Sequence, residues 1–246
     1  MKLLLLLLAL PILFGCDNVN IPDAIFKAYL VNNKAINTNG DKEIQISEAS
    51  AFNDTINCYD LNISNLKGIE AFTALTGLFC SDNNLTSLDV SKNTALTSLS
   101  CGDNYFTSLD LSKNTALTTL SCDDDYLTSL DVSKNTALTT LRCFSNQLTS
   151  LDLSKNTALT ALSCEYNQLT SLDVSKNTAL TVLSCHSNNL RSLYLSKNAA
   201  LTTLYCGDNN LDCEAIERKY VVNTEKKYRF ELKKRRTKII RSDAKK

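Results

Sequence analysis

A unit of 21 residues is repeated along most of this chain. LTSLDVSKNTALTSLSCGDNY begins at Leu85, and near-copies begin at Phe106, Leu127, Leu148, Leu169 and Leu190. A fixed period of this size marks a solenoid, in which each copy is one coil that buries its apolar side only against the coils before and after it. Such a stack builds a long regular surface rather than an enclosed reaction chamber. What the chain does must therefore be written where the copies differ.

One coil shows the local logic. In Leu96-Thr97-Ser98-Leu99-Ser100-Cys101-Gly102-Asp103-Asn104-Tyr105-Phe106 the apolar residues alternate with polar ones, then a polar corner follows. Leu109-Asp110-Leu111 repeats the alternation in the second half of the coil. Alternation means extended backbone with one face inward, so each coil offers two extended stretches and no helix. The spacing resembles the leucine-rich repeat pattern LxxLxLxxNxL with Cys at the third apolar position. The copies resemble the short bacterial leucine-rich repeats, and the Cys version is similar to internalins that carry a cysteine ladder. That resemblance covers roughly residues 56–213. It implies a leucine-rich repeat solenoid with short parallel β-strands on the concave side and extended segments on the convex side. It also implies a binding role rather than catalysis.

Two ladders run through the repeats. Cys80, Cys101, Cys122, Cys143, Cys164, Cys185 and Cys206 recur every 21 residues, and Cys58 precedes them by 22. Equivalent side chains on stacked parallel strands point the same way at ~4.8 Å spacing, whereas a disulfide needs converging Cβ atoms about 3.8 Å apart. Buried free thiols acting as small apolar wedges are expected. Cys213 is the candidate for a terminal disulfide. The second ladder is Asn83, Asn104, Asn146, Asn167, Asn188 and Asn209, placed to satisfy backbone groups at the corner. One coil departs from it, with Asp125, which accepts hydrogen bonds but donates none when ionised.

The chain opens MKLLLLLLALPILFGC. Its apolar run is too short to span a ~30 Å hydrocarbon core and reads as an export signal over residues 1–15. Leu13-Phe14-Gly15-Cys16 resembles the lipobox of bacterial lipoproteins, which implies lipidation of Cys16 and a stable anchor where more than one acyl chain is attached. Residues 16–55 are expected to be a tether followed by a helical N-terminal cap, with Pro22 in the first turn of a helix over 21–31 whose apolar face is Ile25, Phe26, Tyr29 and Leu30. Residues 37–48 resemble an EF-hand loop, with Asn37, Asn39, Asp41 and Glu48 at ligand positions. Lys42 stands where such loops carry Gly, and Asn37 where they carry Asp. Calcium favours anionic oxygen ligands, so a metal-free cap is the reading preferred over weak calcium binding; no other cofactor is expected.

Around the strand the copies vary while Leu, Cys and Asn stay fixed. Asp82, Asp103, Asp123 and Asp124 form an acidic patch that a cationic partner would relieve, since like charges across stacked strands repel. Arg142, Phe144, Tyr166 and Tyr205, with Tyr105 and Tyr126 at the edge, form the expected ligand face, because aromatic residues and Arg are the common anchors of interfaces. An enzyme is not expected. His186 is the lone His, strand alternation sends Cys185 to the opposite face, and no nucleophile is seen to complete a set.

The charges are segregated. Residues 1–213 carry 13 basic and 21 acidic groups; residues 214–246, a C-terminal cap and tail, carry 13 basic and 5 acidic. The tail reads as a solvated end, as a segment that docks on the acidic body or closes the last coil, or as a binder of anionic lipid or polysaccharide. Taken together, the residues and resemblances point to an exported protein, lipid-anchored at the bacterial cell envelope, with the outer membrane as the expected site. It would be a monomer that binds a protein or glycan, not nucleic acid. A structural envelope protein without specific ligand and a carbohydrate-binding module stay open as alternatives.

Overall fold

Every repeat contributes one strand of three residues, and the strands stack in sequence order. The structure is a computed structural model that describes residues 18–211 and the strand Arg229–Phe230; Cys16, Cys213 and the rest of the basic tail lie outside the described residues. The strands are β1 (Thr55–Asn57), β2 (Gly77–Phe79), β3 (Ser98–Ser100), β4 (Thr119–Ser121), β5 (Thr140–Arg142), β6 (Ala161–Ser163), β7 (Val182–Ser184), β8 (Thr203–Tyr205) and β9 (Arg229–Phe230). They form a single parallel sheet of 9 strands in the order of the chain. Register is one coil per step: Leu78 pairs Leu99, Leu99 pairs Leu120, and Leu183 pairs Leu204. The central residue of β1 to β8, Ile56 in β1 and Leu in the rest, is buried, and in β3 and β4 its polar flanks are half-exposed.

The strand stops where the backbone turns left-handed. Asp82, Asp103, Asp124, Ser145, Tyr166, Ser187 and Asp208 all have φ between 50° and 58°. A residue with a short side chain that bonds locally is tolerated there better than a bulky one. On the far side the second apolar stretch forms no strand. It closes through successive tight turns, with Asn114 N donating to Leu111 O at 3.0 Å and Leu117 N to Asn114 O at 3.2 Å. The core is a continuous column of Leu, Val and Cys between these two sides, and burying each Leu or Val contributes roughly 1.5–3 kcal/mol relative to exposure.

The cap is built as expected in kind, with corrections in detail. Helix α1 spans Ala24–Asn32, and Asp23, rather than Pro22, begins it: Asp23 Oδ1 accepts from the N–H groups of Ile25 and Phe26, both at 3.0 Å. Pro22 lies outside the helix, before its cap. Phe26 and Leu30 are buried and Tyr29 is half-buried, but Ile25 faces solvent at 46% exposure. The other oxygen of Asp23 accepts from Ser64 N, Ser64 Oγ and Asn65 N, which fastens the cap to the first coil. Residues 18–20 are not a free tether. Asn18 bridges Gln45 in antiparallel sense, Val19 N donates to Ile44 O at 2.8 Å, and Val19 is buried. Apolar Val19 and Ile21 cover the cap core, and that burial holds the segment in place. Helix α2 (Ile46–Ala51) follows.

Candidate binding face

The side chains that vary between coils stand on the concave strands and the corner after them. At the middle coils Arg142, exposed, lays its guanidinium 5.1 Å from the centroid of the Phe144 ring. Such cation–π contacts are worth ~0.5–1 kcal/mol at exposed sites. Arg142 Nε also stands 3.9 Å from Asp123 Oδ1. One coil further, Tyr166 is 57% exposed and meets His186 edge-on, centroids 4.9 Å apart at 83°. Between the two pairs lies Glu165, one of whose oxygens, Oε2, is buried without a donor. Tyr205 is half-buried on β8, and among the described residues no ring contact joins it to Phe144 or Tyr166.

Tyr105 and Tyr126 do not continue that group. They stack on each other at the corner, with centroids 6.2 Å apart and planes within 10°, on the coils that carry the acidic patch. There the carboxylate oxygens of Asp103, Asp123 and Asp124 lie within 4.8 Å of one another. Burial, together with the charges of Asp124, Asp82 and Asp123, raises the Asp103 carboxyl above its ordinary value. Asp82 accepts from the Tyr59 hydroxyl at 2.8 Å, and Asp123 accepts from Ser121 Oγ. The left-handed backbone gives Asp82, Asp103 and Asp124 a local reason to be Asp, a signal invisible in the repeat pattern. It gives Tyr166 none. A tyrosine there stores roughly 1–3 kcal/mol of strain.

The ladders occupy the interior. Cys58, Cys80, Cys101, Cys122, Cys143, Cys164 and Cys185 are free, buried thiols, and Cys206 is buried with them. Burial raises the thiols of Cys58, Cys80, Cys101, Cys122, Cys143, Cys164 and Cys185 above the usual value, those of Cys58 and Cys143 to about 12. Each corner Asn uses its Nδ2 on backbone carbonyls of its own and the preceding coil: Asn104 Nδ2 reaches Cys80 O, Cys101 O and Gly102 O at 3.0–3.1 Å. A second Asn ladder escaped sequence reading. Asn93, Asn114, Asn135, Asn156, Asn177 and Asn198 of the SKN motif are buried, and each Nδ2 donates to two carbonyls of the preceding coil. The fixed Asn at the same step as the Cys was the available signal.

The loop of residues 37–48 holds itself closed. Asn37 Oδ1 accepts from Gly40 N, and Asn39 Oδ1 from Asp41 N. Asp41 Oδ2 accepts from Asn39 Nδ2 and Gln45 Nε2; Glu48 accepts from Thr38, Asn39 and Gln45. Burial works against the charge of Glu48, but these donors outweigh it and hold its carboxyl below the usual value. The loop's left-handed turn is at Gly40, φ 74°, two residues before Lys42. Restoring Gly at position 42 therefore restores no needed turn.

A hydroxyl does stand beside the lone His: His186 Nδ1 is 3.1 Å from Ser187 Oγ. Among the described residues no carboxylate hydrogen-bonds to the ring, so the pair lacks the third group that orients a catalytic base. Cys185 is buried on the other face.

A parallel solenoid with one three-residue strand, one corner Asn and one inward Cys per coil defines a leucine-rich repeat protein of the cysteine-ladder kind. No protein-family model matches the chain, and no curated protein does. Among solved structures it is similar to the functional domain of InlJ from Listeria monocytogenes, which includes a cysteine ladder: 32% identity over 79% of this chain and 53% of that one, TM-score 0.51. The chain thus spans about half the length of that domain. It is also similar to internalin C2 of Listeria monocytogenes, at 20% identity over 87% of this chain and 97% of that one, TM-score 0.77, a likeness that concerns fold alone. The leucine-rich repeat domain of APL1B matches at 25% identity over 64% and 49%, TM-score 0.58. Among the described residues no helix is long and apolar enough to cross a membrane.

Proposed function

We propose that this is a non-catalytic leucine-rich repeat protein that binds another protein at the bacterial cell envelope, in adhesion or partner recognition, held there by lipid on Cys16. The carrying observation is Tyr166. A bulky aromatic sits at a left-handed position where the other coils place Asp or Ser, and it stands 57% exposed beside His186. Strain kept on an exposed aromatic points to a use for that side chain. Arg142 and Phe144 on the adjoining coil extend the same face. Likeness to internalins supports a binding role, and the lipobox resemblance supports the envelope.

The test is binding of the lipid-free mature chain to immobilised envelope proteins and to a glycan array, with Phe144→Ala and Tyr166→Ala beside Lys113→Ala. Saturable protein binding lost in the first two and kept in the third is expected. Saturable binding to glycans alone would replace a protein ligand with a carbohydrate one. No saturable binding to either would favour a structural role.

A further inference from the structure

Asp125 is the one carboxyl in a ladder of carboxamides. Its Oδ1 performs the same task as the Oδ1 of the neighbouring Asn residues: it accepts from Asn104 N at 3.2 Å and Phe106 N at 3.1 Å, as Asn104 Oδ1 accepts from Leu85 N at 2.9 Å. Its Oδ2 therefore occupies the place where Asn104 and Asn146 carry an NH2 group. There Asn104 donates to carbonyls 24, 3 and 2 residues earlier, and Asn146 does the same. The equivalent carbonyls for Asp125 are those of Cys101, Cys122 and Asp123. Oxygen facing oxygen cannot bond without a proton between them, and Oδ2 is buried with no partner in a residue only 5% exposed.

We propose that Asp125 is a proton-operated joint in the corner ladder: protonated, it donates through Oδ2 as Asn does in the other coils, and ionised, it loosens the corner that carries Asp123, Asp124 and Tyr126. The groups facing it are the carboxylates of Asp103 and Asp123 and the thiols of Cys80, Cys101 and Cys122. Among the described residues Asp125 pairs with no cation; Arg142, the basic residue at this corner, is directed to Asp123. Burial raises the Asp125 carboxyl to about 7; the N–H groups of Phe106 and Asn104 oppose the rise, and the charges of Asp103 and Asp123 add to it.

The sign follows from proton binding. Between the ordinary carboxyl value near 4 and about 7 the folded chain holds a proton that the unfolded chain has released. Folding is therefore favoured at low pH, and this contribution is lost as pH rises to about 7. Above that the ionised, unpaired carboxylate is carried at full cost.

The experiment compares the full chain with Asp125→Asn by urea unfolding from about pH 5 to pH 8, with Asp124→Asn as the exposed control. The wild-type folding equilibrium constant should fall on the order of tenfold to a hundredfold relative to Asp125→Asn across that range, while Asp124→Asn follows wild type. Amide exchange of Asn104 and Phe106, corrected for intrinsic rates, should lose protection with rising pH in wild type and not in Asp125→Asn. In wild type alone, carbon NMR of the Asp125 carboxyl should show a midpoint well above the other aspartates, so the result does not depend on the variant folding. Parallel pH profiles for wild type and Asp125→Asn, or an Asp125 carboxyl that titrates near 4, would overturn the proposal.

Discussion

The Tyr166 ring meets the His186 imidazole edge-on at 4.9 Å, although Tyr166 occupies a backbone position with φ 53° that suits Asp or Gly better than Tyr. Tyr166→Asn should therefore leave stability unchanged or raise it by about 1 kcal/mol, since Asn adopts this conformation readily. The same change should weaken ligand binding by roughly 2 kcal/mol if Tyr166 is an anchor. Urea unfolding beside a binding isotherm checks both; a variant less stable than wild type would mean that Tyr166 contributes packing rather than recognition.

The thiols of the ladder should be inert in the folded chain. Their raised proton affinities leave almost no thiolate at pH 8. A colorimetric thiol titration should find few reactive groups before denaturation and at least seven after. Cys143→Ser should cost roughly 1–3 kcal/mol, because a buried hydroxyl must replace a thiol in an apolar column.

Asn156 should matter as much as a core leucine. Its Nδ2 donates to Val132 O and Asn135 O, both at 2.9 Å, in a fully buried position. Asn156→Ala should cost about 2 kcal/mol or more by withdrawing both donors. Asn156→Asp should be worse at pH 8 than at pH 5, because a buried carboxylate there would face the same carbonyls. Chemical denaturation at the two pH values is the check.

The loop of residues 37–48 should respond weakly to calcium. Every candidate oxygen already accepts a hydrogen bond within the cap, and an incoming ion must displace those donors. Melting temperature should be the same in millimolar calcium and in chelator, and Lys42→Gly should not create affinity, since Gly40 makes the turn. Micromolar affinity by calorimetry would refute this.

Cys16→Ser should move the protein from the membrane fraction to the soluble one. Mass spectrometry of the wild type should find acyl chains on the N-terminal Cys. A wild-type chain without acyl groups would remove the anchor from the proposed function.

The architecture was legible in the sequence because a solenoid is nearly one-dimensional. Each coil contacts only its neighbours, so the period of 21, the alternation around Leu99 and the recurring Cys and Asn were enough to place strand, core and corner. The cap was legible only in outline. Whether Ile25 or Tyr29 turns inward, and whether residues 18–20 hang free or pair with Gln45, depends on what α1 packs against, and local spacing does not contain that. The binding face shows the same division. Sequence variation identified Arg142, Phe144 and Tyr166 as outward side chains. Only the folded backbone separated Asp103 and Asp124, which suit a left-handed turn, from Tyr166, which does not. Likewise the repeat alone marked Asp125 as an exception among asparagines. Its consequence came from stacking, because an oxygen becomes costly only where the coils on either side close over it and leave it without a donor.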